Sequence, residues 1–211
     1  MSVQTVHFGD EGQAATRELA RRFTPLVPEE LGACLRTFES IDRHHGGSGA
    51  VPLEDTGALV DSALEGASRF GDDDLVLGIA LWALRHEVEF RALEPVLNAL
   101  ARSSNAAANA ARLSAVFGLM QAFLAHVAPT LSADLERSNP ERPWRVLHVN
   151  LAITAIRTED PALMAFAFDA LDRALPEERA GFYAEAMALA LAPRIAPAVR
   201  EAIEARHRRW T

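Results

Sequence analysis

Apolar residues recur at three- and four-residue spacing along almost the whole chain, and no stretch alternates apolar and polar as a half-buried strand does. Glu11 to Phe23 reads as a polar-faced first helix that Pro25 ends. Pro28 stands at the first helical position of a second, reaching to about Asp42, with Leu31, Leu35 and Phe38 on one face. A third runs from about Leu53 to Ala67, with Leu59, Ala63 and Leu64 inward. Asp72, Asp73 and Asp74 supply a cap and first-turn negative charge to a fourth, from Asp74 to about Phe90. That helix is apolar nearly all round (Leu75, Val76, Leu77, Ile79, Leu81, Trp82, Leu84, Val88), and a helix with no wide polar face belongs at the centre of its domain.

Pro95 marks a break before Val96 to Arg102, after which Ser103, Ser104 and Asn105 are placed to cap a long helix to Val127, closed by Pro129. A short helix from about Leu131 to Arg137 and a turn through Asn139, Pro140, Glu141 and Arg142 follow. Pro143 opens a helix to Arg157. Pro161 and Pro176 open two more, to Leu175 and Leu191, and a last one runs from about Pro197 to the C-terminus. The prediction is an all-α, compact multi-helix domain of about ten helices with short, proline-opened connections, spanning residues 1–211. The glycine-rich stretch near 44–52 is its one flexible loop. Pairs of helices in the second half take up 33 to 36 positions, so a short α-solenoid of helix hairpins is the alternative, although no residue-level repeat recurs. Leu77, Leu81, Leu84, Val116, Phe117, Met120, Phe166 and Phe182 are the expected core.

Composition removes whole classes of chemistry. All 21 basic residues are arginine, which excludes a Schiff-base lysine, a Walker-type phosphate lysine and a Ser-Lys dyad. Alanine occurs 40 times, as a GC-rich coding sequence would write it. A net charge of −8 argues against general phosphate-backbone binding. The single cysteine, Cys34, in the apolar run Leu31-Gly32-Ala33-Cys34-Leu35, reads as a small buried residue. With no signal-peptide pattern at the start, the expected location is cytoplasmic. The longest apolar run, Leu75 to Leu84, covers ten positions, half of a membrane span, so no span is expected.

The candidate sites are few. Glu204 and His207 form the sole Glu-x-x-His, and His-Glu-x-x-His, Cys-x-x-Cys and Gly-x-Ser-x-Gly are all missing. The sharpest metal hypothesis joins His86, Glu89 (or Glu87), His126 and His148 from three helices, against a default of ordinary capped or surface histidines and no cofactor. His44 and His45 beside the glycines read as part of a connector. Arg142, Trp144 and Arg145 at a helix start, and Arg206, Arg209 and Trp210 at the chain end, are the residue types enriched at interface hot spots. Against this stand Trp144 packing inward with wet arginines, and Trp210 docking back onto its own domain. Phe123-Leu124-Ala125-His126-Val127 followed by Leu131 to Leu135 resembles the middle of helical chaperones for molybdoenzyme maturation. The match covers under a tenth of the chain and lacks their acidic, proline-containing signature, so no function is carried over. By elimination the expectation is a non-enzymatic helical module that binds a protein partner or itself. The alternative is a helical enzyme or a small-ligand or metal-binding protein with a pocket beside the apolar helix at 74–90.

Overall fold

Helix starts follow the local chemistry. The computed structural model describes residues 9–51, 55–131, 142–191 and 195–210, and these form ten α-helices and no strand. They are α1 (Gly9–Phe23), α2 (Glu29–His45), α3 (Thr56–Phe70), α4 (Asp73–Arg85), α5 (Leu93–Ala106), α6 (Ala110–Leu131), α7 (Pro143–Thr158), α8 (Pro161–Ala174), α9 (Arg179–Ala190) and α10 (Pro197–Trp210). Asp72 caps α4 by accepting the Leu75 N–H at 3.0 Å, and Asp160 caps α8 by accepting from Ala162 and Leu163. Pro143 and Pro161 occupy first-turn positions, where no N–H is needed.

Several boundaries differ from the sequence reading, and the fourth helix, expected to reach about Phe90, ends at Arg85, where His86 caps it and Glu87 turns to φ 54°. Ser103, Ser104 and Asn105 lie in the last turn of α5 and do not cap α6. Pro95 falls in the first turn of α5, where its missing N–H breaks nothing, so the helix runs on. The α6 cap is Asn109, whose Oδ1 accepts the Arg112 N–H at 2.9 Å. Pro129 does not end α6, which continues to Leu131, and α9 begins at Arg179 after a turn at 176–178. The expected helix over 131–137 and the turn at 139–141 fall beyond Leu131, outside the described residues.

The chain divides into two compact units, Met1–Arg102 and Ser103–Thr211. In the first, α1 packs on α2, α2 on α3, α3 on α4, and α4 returns to α1, a closed bundle around Phe38, Leu64, Leu75, Ile79 and Trp82. Glycine permits the α1–α4 closure at two points. A Cβ at Gly78 of α4 would stand 2.5 Å from Leu19 Cδ1, and one at Gly12 of α1 would strike the Arg85 guanidinium and the Gly47 carbonyl. In the second unit α6 packs on α7, α7 on α8, and α10 on both α8 and α9, burying Phe117, Met120, Phe123, Leu151, Phe168, Leu171 and Tyr183. By length and composition α6 could cross a membrane: its window Ala110–Val127 has mean hydropathy 1.3 and is 33% buried. Leu113, Val116, Phe117, Met120, Phe123 and Val127 of that window are buried within the protein.

Of the expected core, Leu77, Val116, Phe117 and Met120 are buried, Leu84 and Phe182 are half-buried, and Leu81 and Phe166 are 37% and 45% exposed. Leu81 falls on the narrow outward strip of α4 with Asp74, and a helix apolar all round gives periodicity no way to choose that strip. Phe166 lies off the buried α8 stripe Met164, Ala167, Phe168 and Leu171. Phe117→Ala is therefore expected to cost about 3–5 kcal/mol by cavity formation. Leu81→Ala should cost under about 1 kcal/mol, nearer the range of surface substitutions. Denaturant midpoints of the two variants check the order.

Candidate functional site

The first unit is organised around a buried acid. Asp42, in the last turn of α2, is 1% exposed. Its Oδ1 accepts the Trp82 indole N–H at 2.7 Å and lies 2.8 Å from His86 Nε2, while Arg85 Nη2 stands 3.9 Å from its Oδ2. Its backbone carbonyl accepts from Gln13 Nε2 at 2.9 Å. Burial pushes the carboxyl up, but hydrogen bonds from His86, Thr16 and Trp82 and the Arg85 charge outweigh it and hold it below the usual carboxylate range. Phe38 stacks on Trp82 with centroids 4.3 Å apart, and Trp82 faces the His86 ring at 4.6 Å. Arg85 also donates to the Gly47 carbonyl and to Thr16 Oγ1, both at 2.7 Å, and His86 Nδ1 lies 3.0 Å from the Gly49 carbonyl. The glycine stretch 46–49 is thus tied to the end of α4 by two adjacent side chains.

The residues of the metal hypothesis are placed apart from such a site. His86 bonds Asp42 and Gly49, and Glu89 is exposed on the segment after α4. His126 is half-buried on α6. His148 is buried on α7, where Nδ1–H donates to the Trp144 carbonyl at 2.8 Å; burial, with the Arg173 charge, pushes its ring pKa down. Among the described residues no three His, Cys, Asp or Glu side chains are arranged to hold an ion.

The interface candidates are engaged inside the second unit. Trp144 is half-buried and meets His148 edge to face at 4.3 Å. Arg142 is buried, not wet, and bonds Glu178 at 3.2 Å, and Arg145 bonds the other oxygen of the same carboxylate. At the chain end Asp172 of α8 accepts from Tyr183 OH at 2.9 Å, Arg206 at 2.7 Å and the Trp210 indole at 3.1 Å. Arg206 reaches Asp169 at 2.6 Å as well. The guanidinium carbons of Arg179 and Arg209 stand over the Trp210 ring, 3.7 and 4.6 Å from its centroid. Burial, with the Asp172 carboxylate, drives the Tyr183 phenol far above its ordinary range. Within this chain the C-terminal cluster is held on Asp169 and Asp172 of α8.

One feature had no signature in the sequence. A groove of about 490 Å3 opens between α2 and α3, lined by Pro28, Glu30, Leu31, Cys34, Ser62 and Gly66, with Arg69 and Phe70 at the α3 end. Phe70 is 40% exposed, and Leu26, two residues before Pro28, is 63% exposed. Cys34 is half-buried there, and burial pushes its thiol pKa up, so it is a weak nucleophile. No family model, curated protein or solved structure matches the chain.

Two measurements probe these clusters. Because the folded Asp42 pKa is depressed, its stabilisation is complete above the ordinary value of about 3.9 and is lost as pH falls through the folded value. Asp42→Asn should cost about 3–5 kcal/mol at pH 7, as removing one partner of a buried ion pair does, and should flatten the acid limb of the stability curve. Deleting residues 206–211 removes the Arg206 and Trp210 donors from Asp172. It should lower stability by about 2–3 kcal/mol, on the scale of hydrogen bonds to a charged group, with oligomeric state unchanged in sedimentation. Intact stability with lost association would assign the tail to a partner instead.

Proposed function

We propose that the protein is a non-enzymatic helical binding module whose site is the α2–α3 groove, taking an apolar helical segment of a protein partner. What carries the reading is the groove's mixed lining: Pro28, Leu31, Cys34 and Phe70 supply its apolar part, while Glu30 and Arg69 add one charge of each sign. Phe70 carries that apolar surface into solvent, as an anchor for a helix laid in a groove does. The strongly bonded acids, Asp42 and Asp172, are taken up by donors from their own unit and do not face this groove. The elimination of lysine, nucleophile-elbow and metal-motif chemistries in the sequence points the same way.

The test uses amphipathic helical peptides bearing an apolar face flanked by one acid and one base, titrated against isotope-labelled full chain. Amide shifts confined to Leu31, Cys34, Ser62, Gly66 and Phe70 support the reading, and Gly66→Phe, which fills the groove, should abolish them. Gly66→Ala is the folding control. Its methyl would make ordinary contact with Leu31 at 3.6 Å and should raise stability by about 0.5–1 kcal/mol through helix propensity. Saturation by small apolar fragments, with no peptide binding, would move the function to a small ligand. Peptide shifts elsewhere on the chain would overturn the site.

A further inference from the structure

Residues 85 and 86 end α4 and hold the 46–49 stretch in place, and their donors and acceptors are unevenly matched. The His86 side chain has no solvent exposure. Both ring nitrogens face atoms that only accept when Asp42 is ionised: Nε2 faces Asp42 Oδ1 at 2.8 Å, and Nδ1 faces the Gly49 carbonyl at 3.0 Å. A neutral imidazole has one N–H and one lone pair, so it satisfies one of these contacts and opposes the other. A ring with two N–H groups would match both acceptors.

We propose that the His86–Asp42 pair is a proton-operated latch on the glycine stretch 46–49, closed when the ring holds both protons and released when it gives one up to solvent. On loss of the Nδ1 proton, Nε2–H stays with the Asp42 carboxylate, which leaves the Nδ1 lone pair against the lone pairs of the Gly49 oxygen. The remaining ties are Arg85 Nη1 to the Gly47 carbonyl at 2.7 Å and the Gly49 N–H to the Arg85 carbonyl at 2.8 Å. Gly46 and Gly49 have φ of 89° and 101°, a region open to glycine, so the segment can rearrange without side-chain strain.

Among the described residues, few charged groups face the ring. From α2 it faces Asp42, and the other buried cation is Arg85 on α4 itself. α1 brings the neutral Thr16 and Gln13 to the cluster. With both ring nitrogens taken, no group of α1 or α3 bonds to it. His44 is exposed and bonds the Ser40 carbonyl of its own helix, and Glu87, the next residue, is exposed.

The test needs no ligand and is independent of the groove reading. Ring nitrogen spectra of the full chain report whether His86 carries two N–H groups, and amide spectra report Gly46, Gly47 and Gly49 across the same pH series. The expected result is two ring N–H groups at the low end, loss of one, and loop signals moving with the same midpoint. Protection of the Gly49 N–H, referenced to the Ile79 N–H in α4 so that base catalysis cancels, should fall by about tenfold or more as the tie opens locally. His86→Gln should remove the shared midpoint, and Arg85→Gln should keep it while loosening the loop at every pH. Should the His86 variant fail to fold, the wild-type titration decides alone. Loop signals that stay fixed while the ring titrates would overturn the latch. So would a ring with one bare nitrogen beside a protected Gly49 N–H, or one that keeps both protons until the chain unfolds.

Discussion

A carboxylate withdrawn from water must be met by donors, because removing a charge from solvent costs several kcal/mol even after the surroundings relax. Asp42 imposes that requirement on the whole first unit. Its Oδ1 gathers the Trp82 indole and the His86 ring at the end of α4, its Oδ2 lies 3.9 Å from Arg85, and its carbonyl takes Gln13 from α1. The aromatic stack of Phe38, Trp82 and His86 lies directly against the same acid. Hydrophobic burial supplies the drive to collapse, but it is indifferent to rotation of one helix about its axis. The bonds to Asp42 fix how α4 is turned, which matters most for a helix that is apolar on nearly every side.

The second unit repeats the device with different parts. Asp172 gathers Tyr183 from α9 and Arg206 and Trp210 from α10, so one side chain of α8 holds two neighbouring helices. In both units arginine does what lysine would do poorly. Arg206 spans two carboxylates, Arg85 bridges a carbonyl and a hydroxyl, and Arg157 reaches both the carbonyl and the hydroxyl of Ser104. A planar fork of fixed donors suits such paired acceptors, whereas an ammonium is a point charge on a flexible stem. Whatever wrote lysine out of this sequence, the fold has made structural use of its replacement.

The fold was legible where the deciding chemistry is local. Asp72, Asp160, Pro143 and Pro161 act on their own first turns, and the helices start beside them. The α5–α6 junction was misplaced because Ser103 to Asn105 and Asn109 are all good caps by type. What decides between them is how far α5 can run, and residue type does not carry that. The faces of α4 and α8 were partly misread because Leu81 and Phe166 are as apolar as their buried neighbours. The clusters were out of reach for a different reason. His86 stands out in the sequence as a metal-ligand candidate, but Asp42 is 44 residues away and looks like any acid near a helix end. The groove depends on Gly66 and Cys34 being small side by side on two helices, a coincidence of packing that no motif encodes.

The bond between Thr16 and Arg85 spans 69 residues of chain, and Asp42 waits 40 residues for Trp82 and 44 for His86. During synthesis, α1, α2 and α3 therefore emerge carrying an acid whose partners at 82–86 have not yet been made. Until residues 82–86 leave the ribosome, burying Asp42 sets an unpaired charge in a low-dielectric interior, so the first three helices have no stable way to close. Contacts this distant in sequence give nothing back until the whole loop has been ordered. α4 is accordingly the element that completes the first unit, since closing α1, α2 and α3 without it leaves the acid short of Trp82, Arg85 and His86.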